Sequence, residues 1–261
     1  MGGRAGGGGT KATIVVPARL ASTRLPEKVL LAETGRPMVQ HVVEAAGRAA
    51  CASGVVVATD SGQVMEALRG FGTRVVMTRA DHPNGTSRLA EAATLLGLGD
   101  DDLVVNAQGD EPEMPPGVID AAVEALVSAP AAVVGTVCCG LGAGEDAGNP
   151  NIVKVVRRSD GCALYFSRSR VPMDRDGRGG SDSEPLRHVG VYVYRVSFLK
   201  KYVAMPSTPL ERAESLEQLR VLENGYSIAV ARCDEAKGLT GIDTREQYDE
   251  FVRRWRKEDQ R

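Results

Sequence analysis

The sequence has no basic excess: 32 lysines and arginines face 34 aspartates and glutamates, a formal net charge of −2. Nucleic-acid binders carry a positive field, so no nucleic-acid partner is expected and any bound anion must be gripped by local cations. Aromatics are scarce, at 4%, which removes the stacking platforms used to hold single strands. No apolar run approaches the eighteen or so residues of a membrane span, so no membrane association is expected. The first eleven residues, MGGRAGGGGTK, hold too few hydrophobes for a secretory signal. They read as a disordered glycine-rich tail (residues 1–11). None of the five cysteines forms a C-x-x-C pair. Adjacent Cys138 and Cys139 would point to opposite faces of a strand. Reduced thiols and a cytoplasmic location follow as expectations. Neither GxxxxGK[ST] nor GxGxxG occurs, so a P-loop is absent and a dinucleotide-binding dehydrogenase is disfavoured.

What is present is a hydrophobic fraction of 43% in 261 residues, enough for a large core. Apolar runs at 13–18, 55–60, 74–78 and 103–107 read as strands, and their near-continuous hydrophobicity fits a parallel sheet covered on both faces. Candidate helices at 38–50, 63–71 and 87–96 lie between them. This alternation predicts an α/β, three-layer, doubly wound, mostly parallel, Rossmann-like sheet. In the second half, strands at 152–156, 163–167 and 189–194 follow without long helices, and RDGRGGSDS at 175–183 reads as a mobile loop. One domain over 12–261 is expected, with a smaller mixed lobe at about 150–210. Thr208-Pro-Leu-Glu211 and Thr244-Arg-Glu-Gln247 are capping boxes that open two further helices.

Ligands of open α/β sheets bind beyond the carboxyl ends of the strands, and those ends are charged here. The first strand runs into PARLASTRLPEK, which carries Arg19, Arg24 and Lys28 among small residues. Such a loop can cradle a triphosphate, or it can be a solvated basic turn. The fourth ends in NAQGDEP, where Asp110 is placed as a magnesium ligand or as part of a tight turn. Asp243 precedes a helix start, a favourable place for any carboxylate. Alternation over residues 187–195 puts Val189, Val191 and Val193 on one face and His188, Gly190, Tyr192 and Tyr194 on the other, a ligand wall or a partly exposed polar face. In a helix from Pro209, the 100° step places Glu217 in the stripe of Leu210, Ala213 and Val221. A carboxylate there needs a partner, either Arg220 or Arg187, or a ligand.

PARLASTRLPEK, TRADHPNGTSRLAEA, NAQGDEP, NPNIVKVV, ALYFSRS, LRHVGVYVYR, PLERAESLEQLRVLENG and GIDT, in this order, resemble the 3-deoxy-manno-octulosonate cytidylyltransferase (CMP-Kdo synthetase) family. The resemblance covers nearly the whole chain after about residue 12. It implies a nucleotide-sugar transferase fold and a reaction in which the anomeric hydroxyl of 3-deoxy-manno-octulosonate (Kdo) attacks the α-phosphorus of CTP, releasing pyrophosphate and activating Kdo for lipopolysaccharide synthesis. It assigns Arg19, Arg24 and Lys28 to the CTP phosphates, Arg88 to the nucleotide side, and Asp110 and Asp243 to Mg²⁺. It implies that Lys28, Arg19, Asp110 and Asp243 carry the catalysis. Gln108, Arg168, His188, Tyr192, Glu217 and Gln218 match sugar contacts, Arg168 facing the acid's carboxylate. A homodimer through the mixed lobe is also implied. Ser87 stands where the family shows an acidic residue, and the 175–183 loop diverges. Another 2-keto sugar acid, amino-Kdo or sialic acid, would suit the same fold. A non-catalytic nucleotide-binding module is the reading from a different class.

Overall fold

The computed structural model describes residues 10–22, 24–180 and 183–259. Most of the expected glycine-rich tail (residues 1–9), and Ser181 and Asp182 of the 175–183 loop, lie outside the described residues. The chain runs β1 (Ala12–Ala18), α1 (Met38–Gly47), β2 (Ala52–Thr59), α2 (Gly62–Leu68), β3 (Arg74–Met77), α3 (Gly85–Leu95) and β4 (Leu103–Asn106). It continues with α4 (Pro116–Ser128), β5 (Ala132–Gly140), β6 (Lys154–Arg157), β7 (Ala163–Ser167), β8 (Leu186–Arg195) and α5 (Val196–Ala204). The last elements are α6 (Pro209–Glu214), α7 (Gln218–Glu223), β9 (Ser227–Arg232) and α8 (Arg245–Asp259).

The sheet has the order β3-β2-β1-β4-β8-β5-β9. β1 pairs in parallel with both β2 and β4, and β9 pairs in parallel with β5. β8 alone along this path runs against its neighbours. The antiparallel hairpin of β6 and β7 attaches to the first residues of β8.

Alternation along the strands builds the three layers. Ile14, Val16 and Val105 join the helices α1, α2 and α4 in one apolar cluster, through Val39, Val64 and Val118. Val15 and Val104 turn to the other face and meet Leu89 of α3, Leu199 of α5 and Leu219 of α7. Val189, Val191 and Val193 all enter the first cluster, whereas Tyr194 enters the second and Tyr192 packs against it. The division expected from alternation in β8 therefore holds, although the pairing with β5 slips between Thr136 and Val137. A third cluster of Leu25, Met38, Ile242, Tyr248, Phe251 and Val252 fastens α8 to the start of α1 and to the loop after β1.

Both helices start at the expected capping boxes: Thr244 and Gln247 bond reciprocally, the Gln247 side-chain oxygen accepting from the Thr244 N–H at 3.0 Å, whereas at Thr208 only the bond from its N–H to Glu211 Oε2, at 3.1 Å, is made. The helix expected to run on from Pro209 through Glu217 does not. It breaks at Ser215, which takes a left-handed φ of 52°, and restarts as α7 with Glu217 at its N-cap. Leu210, expected in a buried stripe with Glu217, is 40% exposed.

Candidate active site

β1 connects on one side to β2 and β3, and β4 lies on its other side, so strand order reverses between β1 and β4. Such a reversal opens a crevice at the carboxyl ends of the two strands, because their following loops leave in opposite directions. The crevice is present: a cavity of about 570 Å³ is lined by Pro17, Arg19 and Ser22 at the end of β1 and by Asn106, Gln108 and Asp110 at the end of β4. The two loops touch at its floor. A Cβ on Gly109 would stand 2.8 Å from the Pro17 carbonyl oxygen, so only glycine permits this approach. Tyr192 and Tyr194 of β8, Tyr202 of α5, Thr86 of α3, and Glu217 with Gln218 form the opposite wall.

Asp110 and Asp243, 133 positions apart in the numbering of the chain, converge on one ammonium. Lys28 Nζ donates to Asp110 Oδ2 at 2.7 Å, to Asp243 Oδ1 at 2.8 Å and to the Ile242 carbonyl at 3.0 Å. A single 3₁₀ turn over Lys28–Leu30, entered through Glu27 at a left-handed φ of 52°, aims the lysine into the cleft. Asp243 is carried in by the segment before α8: Ile242 N–H donates to the Asp110 carbonyl at 2.8 Å, and Gln247 Oε1 accepts from Asp243 N–H at 2.8 Å. Burial is the largest single influence on Lys28 and works to lower its pKa. The two carboxylates outweigh it and hold the ammonium above the usual lysine range. Arg24 donates to the other oxygen of Asp243 at 2.7 Å. Arg19 lines the cleft, where its charge acts on Glu217, and among the described residues it makes no hydrogen bond or salt bridge, which leaves its fork available to an anion.

The carboxylates offer oxygen donors where a cation is already held. Among the described residues no three carboxylate, histidine or cysteine groups cluster as a cage. A pair of converging carboxylates suits an ion that takes one or two protein carboxylates and completes its shell with water and phosphate oxygens, and Asp110 and Asp243 could hold magnesium.

The sugar-side residues divide. Gln108 is held by its Nε2–H to the Gly190 carbonyl at 3.0 Å. Glu217 takes neither Arg220 nor Arg187 as partner. Arg220 pairs with Glu211 and Arg187 with Glu145, while Glu217 Oε2 accepts from Thr86 Oγ1 at 2.8 Å. Burial raises the Glu217 pKa, and the Thr86 bond opposes the rise. Tyr192 is raised well above the phenol range by burial, then by Glu217, and so stays protonated. Its neighbour Tyr194 completes the wall at a ring separation of 6.2 Å.

Three expected residues stand behind the lining. His188 is buried, bonded to Thr136 Oγ1 at 2.9 Å and edge-on to Phe166, and its pKa is pushed down to about 3 by burial, then by Arg187. It is a neutral imidazole. Arg168 donates to the carbonyls of Glu214 at 2.7 Å, Pro150 at 2.8 Å and Ser215 at 3.3 Å, fastening the turn that presents Glu217 and Gln218. Arg88 is fully buried between Thr78 Oγ1 at 2.5 Å and Asp60 at 3.1 Å. The sequence reading did not single out Thr86 or Tyr202. Thr86 follows a glycine at a helix start, the only signal that marks it. Tyr202 sits on α5 with no signal at all.

The cytidylyltransferase family profile matches residues 13–228. A 3-deoxy-manno-octulosonate cytidylyltransferase from Leptothrix cholodnii is 50% identical over 247 residues, covering 93% of this chain and 90% of the relative. Another from Francisella philomiragia is 47% identical over 234 residues, covering 88% and 93%. A solved structure of CMP:2-keto-3-deoxy-manno-octonic acid synthetase complexed with CTP matches with a TM-score of 0.87 at 40% identity, over 95% of this chain and 100% of that one. At 12% identity, 4-diphosphocytidyl-2C-methyl-D-erythritol synthase shares the fold alone, with a TM-score of 0.60 over 94% of this chain and 97% of that one. The chain belongs to the 3-deoxy-manno-octulosonate cytidylyltransferase family.

Proposed function

We propose that the protein transfers CMP from CTP to the anomeric hydroxyl of Kdo, giving CMP-Kdo and pyrophosphate. The observation that carries the reading is the convergence of Lys28, Arg24, Asp110 and Asp243 beside the crevice at the strand reversal. The nucleotidyl relatives supply the substrate names, and Arg19, lining the cleft, suits the triphosphate.

The chemistry is an in-line displacement at the α-phosphorus, in which the protein supplies position and charge rather than a covalent partner. Arg19, Arg24 and Lys28 neutralise charge on the departing pyrophosphate. Asp110 and Asp243 would hold magnesium, which when bound supplies charge that favours the ionised sugar hydroxyl and screens the phosphates. Glu217, Gln218, Gln108 and Tyr192 orient the sugar, with Tyr192 donating its phenol proton. Arg168, expected to face the acid's carboxylate, instead acts on the sugar end through the Glu214–Ser215 turn that it fastens.

The test is pyrophosphate release from CTP and Kdo with and without Mg²⁺. Wild-type protein releases it only with both substrates and the ion, and Asp110→Asn abolishes it. Full turnover by Asp110→Asn would make that residue merely structural. Parallel assays with an amino-Kdo analogue and sialic acid fix the acceptor. A homodimer joined by the lobe at about 150–210 belongs to the same proposal. Leu164 of β7 and Met173, 56% and 81% exposed, offer apolar area for it, and sedimentation equilibrium tests it. No helix among the described residues is long and apolar enough to cross a membrane. The free, mostly buried cysteines agree with work in the cytoplasm, where thiols stay reduced.

A further inference from the structure

The charge around Asp110 and Asp243 points to a second role for Lys28, and this inference rests on the magnesium reading above. The ammonium occupies the space between the two carboxylates and donates to Asp110, Asp243 and the Ile242 carbonyl, so all three of its protons are used. Arg24 takes the second oxygen of Asp243, and both oxygens of that carboxylate are therefore engaged. Two unit negative charges face two unit positive charges. A divalent cation arriving at this neutral cluster finds no net attraction and meets an ammonium at the point it would enter.

Something must draw the cations away. The Lys28 side chain is 12% exposed and lines the cleft, and its flexible stem can swing about the fixed turn at its base. Arg24 is 67% exposed and freer still. A triphosphate brought into the cleft presents several charged oxygens to both.

We propose that Lys28, seconded by Arg24, is a lock on the metal site. In the nucleotide-free protein its ammonium stands in for the metal between Asp110 and Asp243, and the site opens to a divalent cation only when a bound triphosphate draws the lysine onto its own oxygens. The lock has two effects. It keeps two like charges paired, so the carboxylates stay in place before the metal arrives. It also couples the ligands: nucleotide raises the affinity for metal, and by reciprocity metal raises the affinity for nucleotide.

The experiment titrates nucleotide-free protein with Mn²⁺ and follows the free ion by electron paramagnetic resonance, a readout independent of turnover. Lys28→Met is expected to bind Mn²⁺ about tenfold or more tightly than wild type, the scale set by removing one unit charge beside the site. Arg24→Gln gains less, because it frees one oxygen and leaves the ammonium. Adding Asp110→Asn to Lys28→Met removes the gain. Arg24 lies on the surface, so its variant keeps the test decisive if Lys28→Met does not fold. Equal or weaker Mn²⁺ binding by Lys28→Met and Arg24→Gln, with Asp110→Asn still abolishing what binding there is, overturns the lock and leaves the carboxylates as metal ligands. Affinity unchanged by Asp110→Asn in every background overturns the magnesium reading and the lock with it.

Discussion

Thr86→Val tests how the sugar side of the cleft is held. Thr86 is 5% exposed, and valine keeps its shape while removing the hydroxyl that donates to Glu217 Oε2 at 2.8 Å. A hydrogen bond to a buried charged acceptor contributes about 1.5–3 kcal/mol when only one partner is removed. Glu217 has a pKa raised by burial. The folded chain therefore binds its proton more tightly than the unfolded chain, and the group weakens the fold as pH rises through the unfolded carboxyl value of about 4.3. The Thr86 bond offsets that loss only where Glu217 is ionised. The cost of the variant should be largest at pH 8 and smaller at pH 5. Urea unfolding reads it as a midpoint lowered by about 0.5–1 M at pH 8. Steady-state assays should show a raised KM for the sugar and little change in KM for CTP. Midpoints within about 0.2 M of wild type at both pH values, with unchanged sugar KM, would show that Thr86 does not hold Glu217.

Other residues give equally direct tests. In His188→Gln the amide can still meet Thr136, but the group no longer titrates. Wild type loses stability as pH falls from about 6.5, the unfolded imidazole value, at roughly 1.4 kcal/mol per pH unit, until the folded value of about 3. The variant should lose less over pH 6.5–4 in denaturant midpoints, and parallel curves would refute the buried neutral imidazole. Arg168→Lys, with one terminal nitrogen in place of the three that meet the carbonyls of Glu214, Pro150 and Ser215, should raise the sugar KM about tenfold, the scale of one lost hydrogen bond, while sparing CTP binding measured by calorimetry. Equal loss of both would tell against a sugar-side role. Gly109→Ala pushes a methyl against the Pro17 carbonyl and should cost about 1–3 kcal/mol together with most of kcat. A fully active, fully stable variant would show that the loops can part.

The first half of the fold was legible because its strands are buried on both faces and announce themselves as apolar runs; β1 to β4 lie within a few residues of where periodicity puts them. The site is legible where charge interrupts such a run, at Arg19 after β1 and Asp110 after β4. The β5 strand and α4 escaped because AAVVGTVCCG follows an equally apolar helix, and two adjacent hydrophobic segments carry no contrast. Glu217 lines the cleft, but not in the buried stripe that helical phase predicts. Helical phase carried through Ser215 makes it part of a buried stripe, but a left-handed backbone there resets the phase and sets it at a helix start instead. Its partner, Thr86, arrives from a distant helix, and no local pattern encodes a pairing across 131 positions. Arg88 and Arg168 illustrate the same limit. An arginine on a ligand-binding loop and one bound to three main-chain oxygens are the same letter, and only the packed chain distinguishes them.

The seating of Asp243 has a consequence for where the cleft is vulnerable. It lies beyond the last strand and beyond residue 228, where the family match ends. It is seated by Ile242, Gln247 and the apolar side of α8. Loosening α8 would withdraw this carboxylate from beside Lys28 and Asp110 while leaving the sheet and most of the crevice intact, so the charge balance of the cleft depends on an element that lies outside the sheet.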